Sequence, residues 1–231
     1  MRVAIIENTA ITHLGQVGVA LHEAAARITR FRPWLDGALP DLADFDALIS
    51  FGSEQSAMSD ASHPYLPELA RRMRAFSEED KAVPGICLGA QVLARGLGAK
   101  NLIGTAREFG WCDVALTAAA AADPVRGTLP RTFPIFEWHG DSFTLPDGAL
   151  QLAQTATAPA QAFRIGRATY GMQFHFEASR AMVADWTRLF PDLTEAMSPG
   201  WKTDHPALAE TQGRAADAHG LTIARAFVAL I

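Results

Sequence analysis

Several absences narrow the field before any motif is considered. The chain has only two cysteines, Cys87 and Cys112, and their spacing is not one that holds a metal. A disulfide framework is therefore not expected, and a reducing cytoplasm is the natural compartment. Basic residues are outnumbered, 20 Lys and Arg against 25 Asp and Glu, for a formal net charge of -5. They form no basic cluster, so no nucleic-acid partner is expected. No apolar run approaches the roughly 20 residues that span a bilayer, so no membrane partner is expected. The N-terminal MRVAIIENTA carries one arginine and an apolar run too short for a signal peptide. There is no internal repeat and no linker. What is present is 231 residues, 49% of them hydrophobic and 19% charged, which is ample material for a core. A single domain over 1–231 is the expectation.

The first half alternates strands and helices. Arg2 to Glu7 (RVAIIE) is a continuous apolar run that suits a parallel strand covered on both faces. Gly15 to Ile28 has helical spacing at Val17, Ala20, Leu21, Ala24, Ala25 and Ile28. A second strand is expected within Ile28 to Trp34, a connection over Pro40 to Phe45, and a third strand over Asp46 to Phe51. Gly52 to Pro67 is small, polar and turn-forming, as a loop over a site would be. Tyr65 to Phe76 reads as a helix with Pro67 in its first turn. An open α/β sheet, mostly parallel and flanked by helices, is the parsimonious fold. After Lys100 the rhythm changes. Glu108 to Thr117, Ile135 to Trp138 and Leu150 to Gln154 look like strands without long helices between them, so extra antiparallel strands are expected there. Ala118 to Ala122 reads as a short helix or loop. Ala162 to Ile165 and Ala168 to Phe174 flank Gly166-Arg167 as a tight hairpin. Ser179 to Phe190 reads as a helix capped by Ser179, Pro191 to His205 as a loop, and Pro206 to Ile231 as helical with a break at Gly220.

Chemistry concentrates at Val83 to Lys100, VPGICLGAQVLARGLGAK. Gly85-Ile86-Cys87-Leu88-Gly89 is a G-x-C-x-G pattern between a strand end and a helix, a nucleophile elbow with cysteine in the serine position. A nucleophile on so sharp a turn needs a strained backbone, and its neighbours must be small to clear the flanking strand and helix. The helix N-terminus beside Cys87 favours a thiolate and helps bind an oxyanion. The competing reading is a buried structural cysteine among incidental glycines. Far downstream, His175 and Glu177 are two apart at an expected strand end, where extended backbone points both to one face. A carboxylate there orients one imidazole nitrogen and leaves the other to take a proton from a nucleophile. Alone, H-x-E is better explained by surface residues; with the elbow it completes a Cys87, His175, Glu177 relay.

Together the motifs resemble the class I glutamine amidotransferases. Val83-Pro84-Gly85-Ile86-Cys87-Leu88-Gly89-Ala90-Gln91 is similar to that family's nucleophile region, and Gly171-Met172-Gln173-Phe174-His175-Phe176-Glu177 to its late motif. Glu108-Phe109-Gly110-Trp111 and Trp138-His139-Gly140-Asp141-Ser142-Phe143 look like the stand-alone, GMP-synthetase-like branch. The resemblance implies a flavodoxin-like amidotransferase architecture with no metal and no cofactor. It implies attack of Cys87 on the side-chain amide of glutamine or a γ-glutamyl small molecule, with His175 as base and Glu177 as its orienting acid. The oxyanion donors would be the backbone N–H groups of Leu88 and Ser53. Gln91, His139, Gly140 and Asp141 would line the substrate pocket. A structural or capping role for His139 stays open beside direct contact.

Two departures matter. Gly52-Ser53-Glu54 stands where the family has Gly-Gly-Pro, and serine does not take glycine-only dihedrals cheaply. Phe176 replaces a proline between His175 and Glu177. Cys112 lies in an expected strand with no local base and reads as packing. Three functions compete: a stand-alone hydrolase, a glutaminase subunit feeding ammonia to a separate synthase subunit, and a catalytically silent binding or regulatory relative. An α/β-hydrolase is disfavoured because its acid should precede its histidine in sequence.

Overall fold

The computed structural model describes residues 1–39, 41–126 and 128–231. Strand β1 (Arg2–Ile6) begins the chain, followed by α1 (Gly15–Glu23), β2 (Arg27–Phe31), the short α2 (Pro33–Asp36), β3 (Ala47–Ser50), α3 (Leu66–Glu78), β4 (Val83–Ile86) and α4 (Leu88–Gly96). Then come β5 (Asn101–Leu102), β6 (Glu108–Leu116), β7 (Thr132–His139), β8 (Ser142–Phe143), β9 (Leu150–Gln154), β10 (Ala162–Ile165) and β11 (Thr169–Met172). Helices α5 (Arg180–Leu189), α6 (Pro191–Met197), α7 (Trp201–Leu208) and α8 (Arg214–Val228) close the chain.

Nine strands form one sheet in the order β2-β1-β3-β4-β11-β10-β9-β6-β7. The five from β2 to β11 run parallel to their neighbours; β10, β9, β6 and β7 add antiparallel pairs. The apolar run of β1 has the expected cause. Val3 and Ile5 pack into one core with α1 and α8, while Ala4 and Ile6 pack into the other with α3 and α4. Because both faces are covered, β1 has no polar side to alternate with. β11 inserts beside β4, pairing Gly171 with Gly85 and Met172 with Ile86. A strand some 85 residues downstream thus ends next to the turn that carries Cys87, and this pairing positions the site.

Three local expectations are corrected. The helix expected over Gly15 to Ile28 stops at Glu23: Ala25 takes φ 52°, reversing the chain, and Ile28 pairs with Val3 in the sheet. The Pro191 to His205 stretch is not a loop but α6 and most of α7, joined at Gly200 with φ 90°. Pro191 occupies a first-turn position, which a helix tolerates, and Trp201 is buried against Trp111 and Phe109, so tertiary packing holds α7. No break occurs at Gly220, which lies inside α8 because a Cβ there would sit 2.2 Å from the Phe176 carbonyl oxygen. Ala118–Ala122 is a 3₁₀ turn, and Ser179 caps α5 by accepting from the Met182 N–H. Pro40, in the expected connection, lies outside the described residues.

Candidate active site

The site lies at the carboxyl ends of β3, β4 and β11. Cys87 follows β4 directly and has φ 51° and ψ -110°, a conformation L-residues rarely hold. Its flanking glycines explain how the turn closes. A Cβ on Gly85 would lie 2.3 Å from the Gly89 carbonyl oxygen, and one on Gly89 would lie 2.1 Å from that of Ser50. Neither position admits a side chain, as the elbow reading requires. The Cys87 N–H donates to the Met172 carbonyl at 2.9 Å, pinning the turn to the end of β11.

His175 and Glu177 reach the site differently from expectation. β11 ends at Met172, and Phe176 and Glu177 form a turn closed by the Ala178 N–H on the His175 carbonyl. The two side chains therefore meet across a turn rather than along one face of a strand. His175 is held by its N–H on the Phe136 carbonyl at 2.8 Å, and its Nδ1 lies 2.7 Å from Glu177 Oε1. The turn is clamped from outside: Gln16 N–H donates to the Glu177 carbonyl at 2.9 Å, and a Cβ on Gly15 would collide with that same oxygen. Burial opposes charge on the His175 imidazole, but the Glu177 carboxylate and the hydrogen-bonded Cys87 side chain outweigh it and hold its pKa well above the usual histidine value.

A cavity of about 350 Å³ brings together Cys87, Leu88, Ser53, His175, Glu177, Gln91, His139, Gly140 and Asp141. Every residue the sequence singled out thus borders one space. Ser53 needs no left-handed backbone: among the described residues only Ala25, Asp80 and Cys87 are non-glycine positions with positive φ. The substitution in the loop after β3 therefore costs no strain of the kind its sequence implies. Gly52 is the tight position, where a Cβ would lie 2.9 Å from His175 Cε1 and 3.3 Å from Cys87 Cβ. Ser53 Oγ donates to the Asn8 carbonyl at 3.1 Å, tying the loop to the end of β1.

Gln91 does not point freely into the cavity. Its Nε2 donates to Gln173 Oε1 at 3.2 Å and to the Asp141 carbonyl at 3.4 Å, and Gln173 Nε2 donates to Cys87 Sγ at 3.6 Å. Gln173 is a contact to the Cys87 sulfur for which the sequence reading gave no role, although it stands two residues before His175. The Asp141 carboxylate accepts from the Gly104 N–H at 2.8 Å.

The His139 side chain is almost wholly buried. Its Nδ1 donates to the Asp141 carbonyl at 3.1 Å, and its Nε2 lies 3.2 Å from both Glu108 Oε2 and Glu137 Oε2. Burial opposes its charge, yet the two carboxyl groups dominate and raise its pKa to about 10. Burial pushes the fully enclosed Glu137 upward, and although burial also acts on Glu108, hydrogen bonds from His139, Thr155 and Gln161 hold it below the usual value. The three groups bring one ligand atom each within 4.8 Å of one another, a donor set that also suits a divalent cation. The sequence reading missed Glu137, although it shares a strand face with His139. Cys112 behaves as expected: burial, with Glu137, Glu108 and Asp113 nearby, pushes its thiol up to about 12, and its Sγ–H reaches only the Phe109 carbonyl at 3.7 Å.

The comparisons with known proteins agree with this architecture. Residues 55–184 match the family profile for glutamine amidotransferase class-I. A glutamine amidotransferase-like protein of Salmonella typhimurium, YfeJ, is 29% identical over 181 residues, covering 77% of this chain and 76% of that protein. A GMP synthase of Aliivibrio salmonicida is 32% identical over 145 residues, 60% of this chain but only 26% of the synthase. The crystal structure of a glutamine amidotransferase from Thermotoga maritima superposes with a TM-score of 0.87 at 25% identity, covering 100% of this chain and 97% of that one. One from Methylobacillus flagellatus shares the fold with a TM-score of 0.84 at 22% identity, covering 100% and 95%. On the family match across more than half its length, the chain belongs to the class-I glutamine amidotransferases.

Proposed function

We propose that this protein hydrolyses the side-chain amide of glutamine or of a related γ-glutamyl compound through a Cys87–His175–Glu177 triad. One observation carries the reading: Cys87, on a strained turn at the N-terminus of α4, borders the same cavity as an imidazole oriented at 2.7 Å by a buried carboxylate. In the proposed cycle Cys87 Sγ attacks the amide carbonyl carbon while His175 holds the thiol proton. The carbonyl electron pair moves onto oxygen, which the Leu88 and Ser53 N–H groups receive; neither has a protein acceptor among the described residues. When the C–N bond breaks, His175 gives its proton to the leaving nitrogen. A γ-glutamyl thioester remains, and water, deprotonated by His175, releases glutamate and restores the thiol. Glu177 stabilises the imidazolium in each half-cycle. Gln91, His139, Gly140 and Asp141 would shape the pocket for the glutamyl part, Gln91 through Gln173 and His139 through its hydrogen bond to Asp141.

The second reading is a glutaminase subunit that delivers ammonia to a separate synthase. It is favoured by the GMP synthase relatives, of whose length this chain matches about a quarter, 26% in the Aliivibrio salmonicida protein. Glutamate release by the pure chain from a panel of γ-glutamyl amides, with Cys87→Ala as blank, tests both. Turnover without any partner supports the stand-alone hydrolase. Turnover that appears only when cell extract is added supports the subunit, and none under either condition contradicts both.

A further inference from the structure

The cavity has two unlike halves. One side, at the loop after β3, carries the polar side chains of Ser53, Glu54 and Gln55, joined to one another by hydrogen bonds. The half beside His175 is a wall of Trp138, Trp186, Phe190, Leu193 and Met197, carried largely by α5 and α6. The Trp186 ring stands edge-on to the His175 ring with centroids 5.4 Å apart, and Trp138 packs on Trp186 at 5.7 Å and on Phe190 at 5.9 Å. Trp186 is 8% exposed and braced, whereas Leu193 is 46% exposed at the mouth. No Lys or Arg borders the cavity among the described residues; its ionisable side chains away from the triad are Glu54, Asp141, His13 and His139. At about 350 Å³ the space is of the size that holds a drug-sized ligand.

The direction of the wall follows from the chemistry. The nitrogen that leaves the acyl carbon must take its proton from His175, so it departs on the imidazole side. Any substituent on that nitrogen then lies against Trp186, Phe190, Leu193 and Met197. Free glutamine has no such substituent and leaves this apolar surface uncovered. A substituent ending in a carboxylate would meet no Lys or Arg there and would set its charge against the aromatic rings.

Resting on the hydrolase reading above, we infer that the α5–α6 wall is a leaving-group subsite and that the preferred substrate is a γ-glutamyl amide of an apolar or aromatic amine. In its turnover the thioester bond to Cys87 Sγ forms as the C–N bond breaks, and the free amine departs with the proton from His175. Each methylene buried on the wall is worth about fourfold.

The test compares kcat/KM of the full chain for glutamine, γ-glutamyl-isopentylamide, γ-glutamyl-anilide and γ-glutamylglycine. The isopentylamide is expected to exceed glutamine by at least about 30-fold and γ-glutamylglycine to fall below both. Leu193→Glu, at an exposed position, should lower the isopentylamide-to-glutamine ratio about tenfold, and Met197→Gln should lower it in the same direction. Equal rates for glutamine and the isopentylamide would overturn the inference. So would a Leu193→Glu variant that lowers both substrates alike, the result expected if the wall serves a protein partner. Labelling of Cys87 by a diazoketone analogue of glutamine separates the two levels. Labelling without isopentylamide preference removes only the subsite, whereas no labelling and no turnover of any substrate removes the hydrolase reading as well.

Discussion

The two halves of the sheet build the site by different means. In the parallel half, β1 to α4, the geometry of Cys87 is local. A five-residue G-x-C-x-G turn sets φ 51°, and its two glycines are required because a Cβ on Gly85 would lie 2.3 Å from the Gly89 carbonyl oxygen and one on Gly89 2.1 Å from that of Ser50. In the antiparallel and C-terminal half, His175 and Glu177 sit on a turn that has left the sheet. They are placed by distant partners: Phe136 on β7, Gln16 on α1 and Gly220 on α8. A nucleophile needs one strained dihedral, which a few neighbouring residues can enforce. A base and its acid need a position relative to another strand, which only tertiary packing supplies.

The largest effects should come from the chemistry itself. Cys87→Ala and His175→Ala should each lower kcat for γ-glutamyl hydrolysis by at least about 10⁴-fold while far-UV dichroism stays native. Residual activity within tenfold of wild type in either variant would break the assignment. Glu177→Gln should cost less, on the order of 10²-fold in kcat with KM little changed, because the base remains while its orientation and charge partner are impaired. A fully active, folded Glu177→Gln protein would remove Glu177 as the orienting acid.

Packing variants sharpen the contrast. Gly89→Ala should disrupt the elbow directly, because its Cβ would lie 2.1 Å from the Ser50 carbonyl oxygen. Gly220→Ala, whose Cβ would meet the Phe176 carbonyl oxygen at 2.2 Å, should act at a distance by shifting α8 off the His175–Glu177 turn. Urea unfolding should show a loss of about 2–3 kcal/mol for Gly220→Ala, and the folded fraction should turn over more slowly than wild type. If its folded fraction kept full kcat, the tertiary clamp on the turn would be unnecessary.

The smallest effect is a pH dependence. His139 has its folded pKa raised to about 10 against an ordinary 6.5. Its stabilising contribution is therefore fully present below about pH 6.5 and is lost as pH rises through about 10. Wild-type stability in urea should fall by on the order of 1–3 kcal/mol between pH 7 and pH 10, and His139→Asn should flatten that fall. An identical slope in the variant would show that the imidazole is neutral in the folded protein.

The same contrast explains what the sequence disclosed. The elbow and the strand rhythm of the first half are short-range patterns, and each occurs where its spacing implies. The H-x-E pair was legible as a pair, but its turn geometry was not, because the end of β11 depends on where β4 stops. Glu137 was invisible beside His139 because only the pairing of β6 with β7 brings Glu108 to the same face. α6 and the start of α7 were hidden by Pro191 and Pro199-Gly200, which read as a loop until the burial of Trp201 is known. The apolar wall was hidden for the same reason, since α6 carries Leu193 and Met197.

The central claim is that Cys87, and not Cys112, is the nucleophile. Peptide mapping of the pure chain after treatment with a diazoketone analogue of glutamine tests it most directly. The elbow and His175 predict one adduct, on the peptide containing Cys87, with Cys112 unmodified because its thiol is pushed up to about 12. An adduct on Cys112 with Cys87 untouched would contradict it.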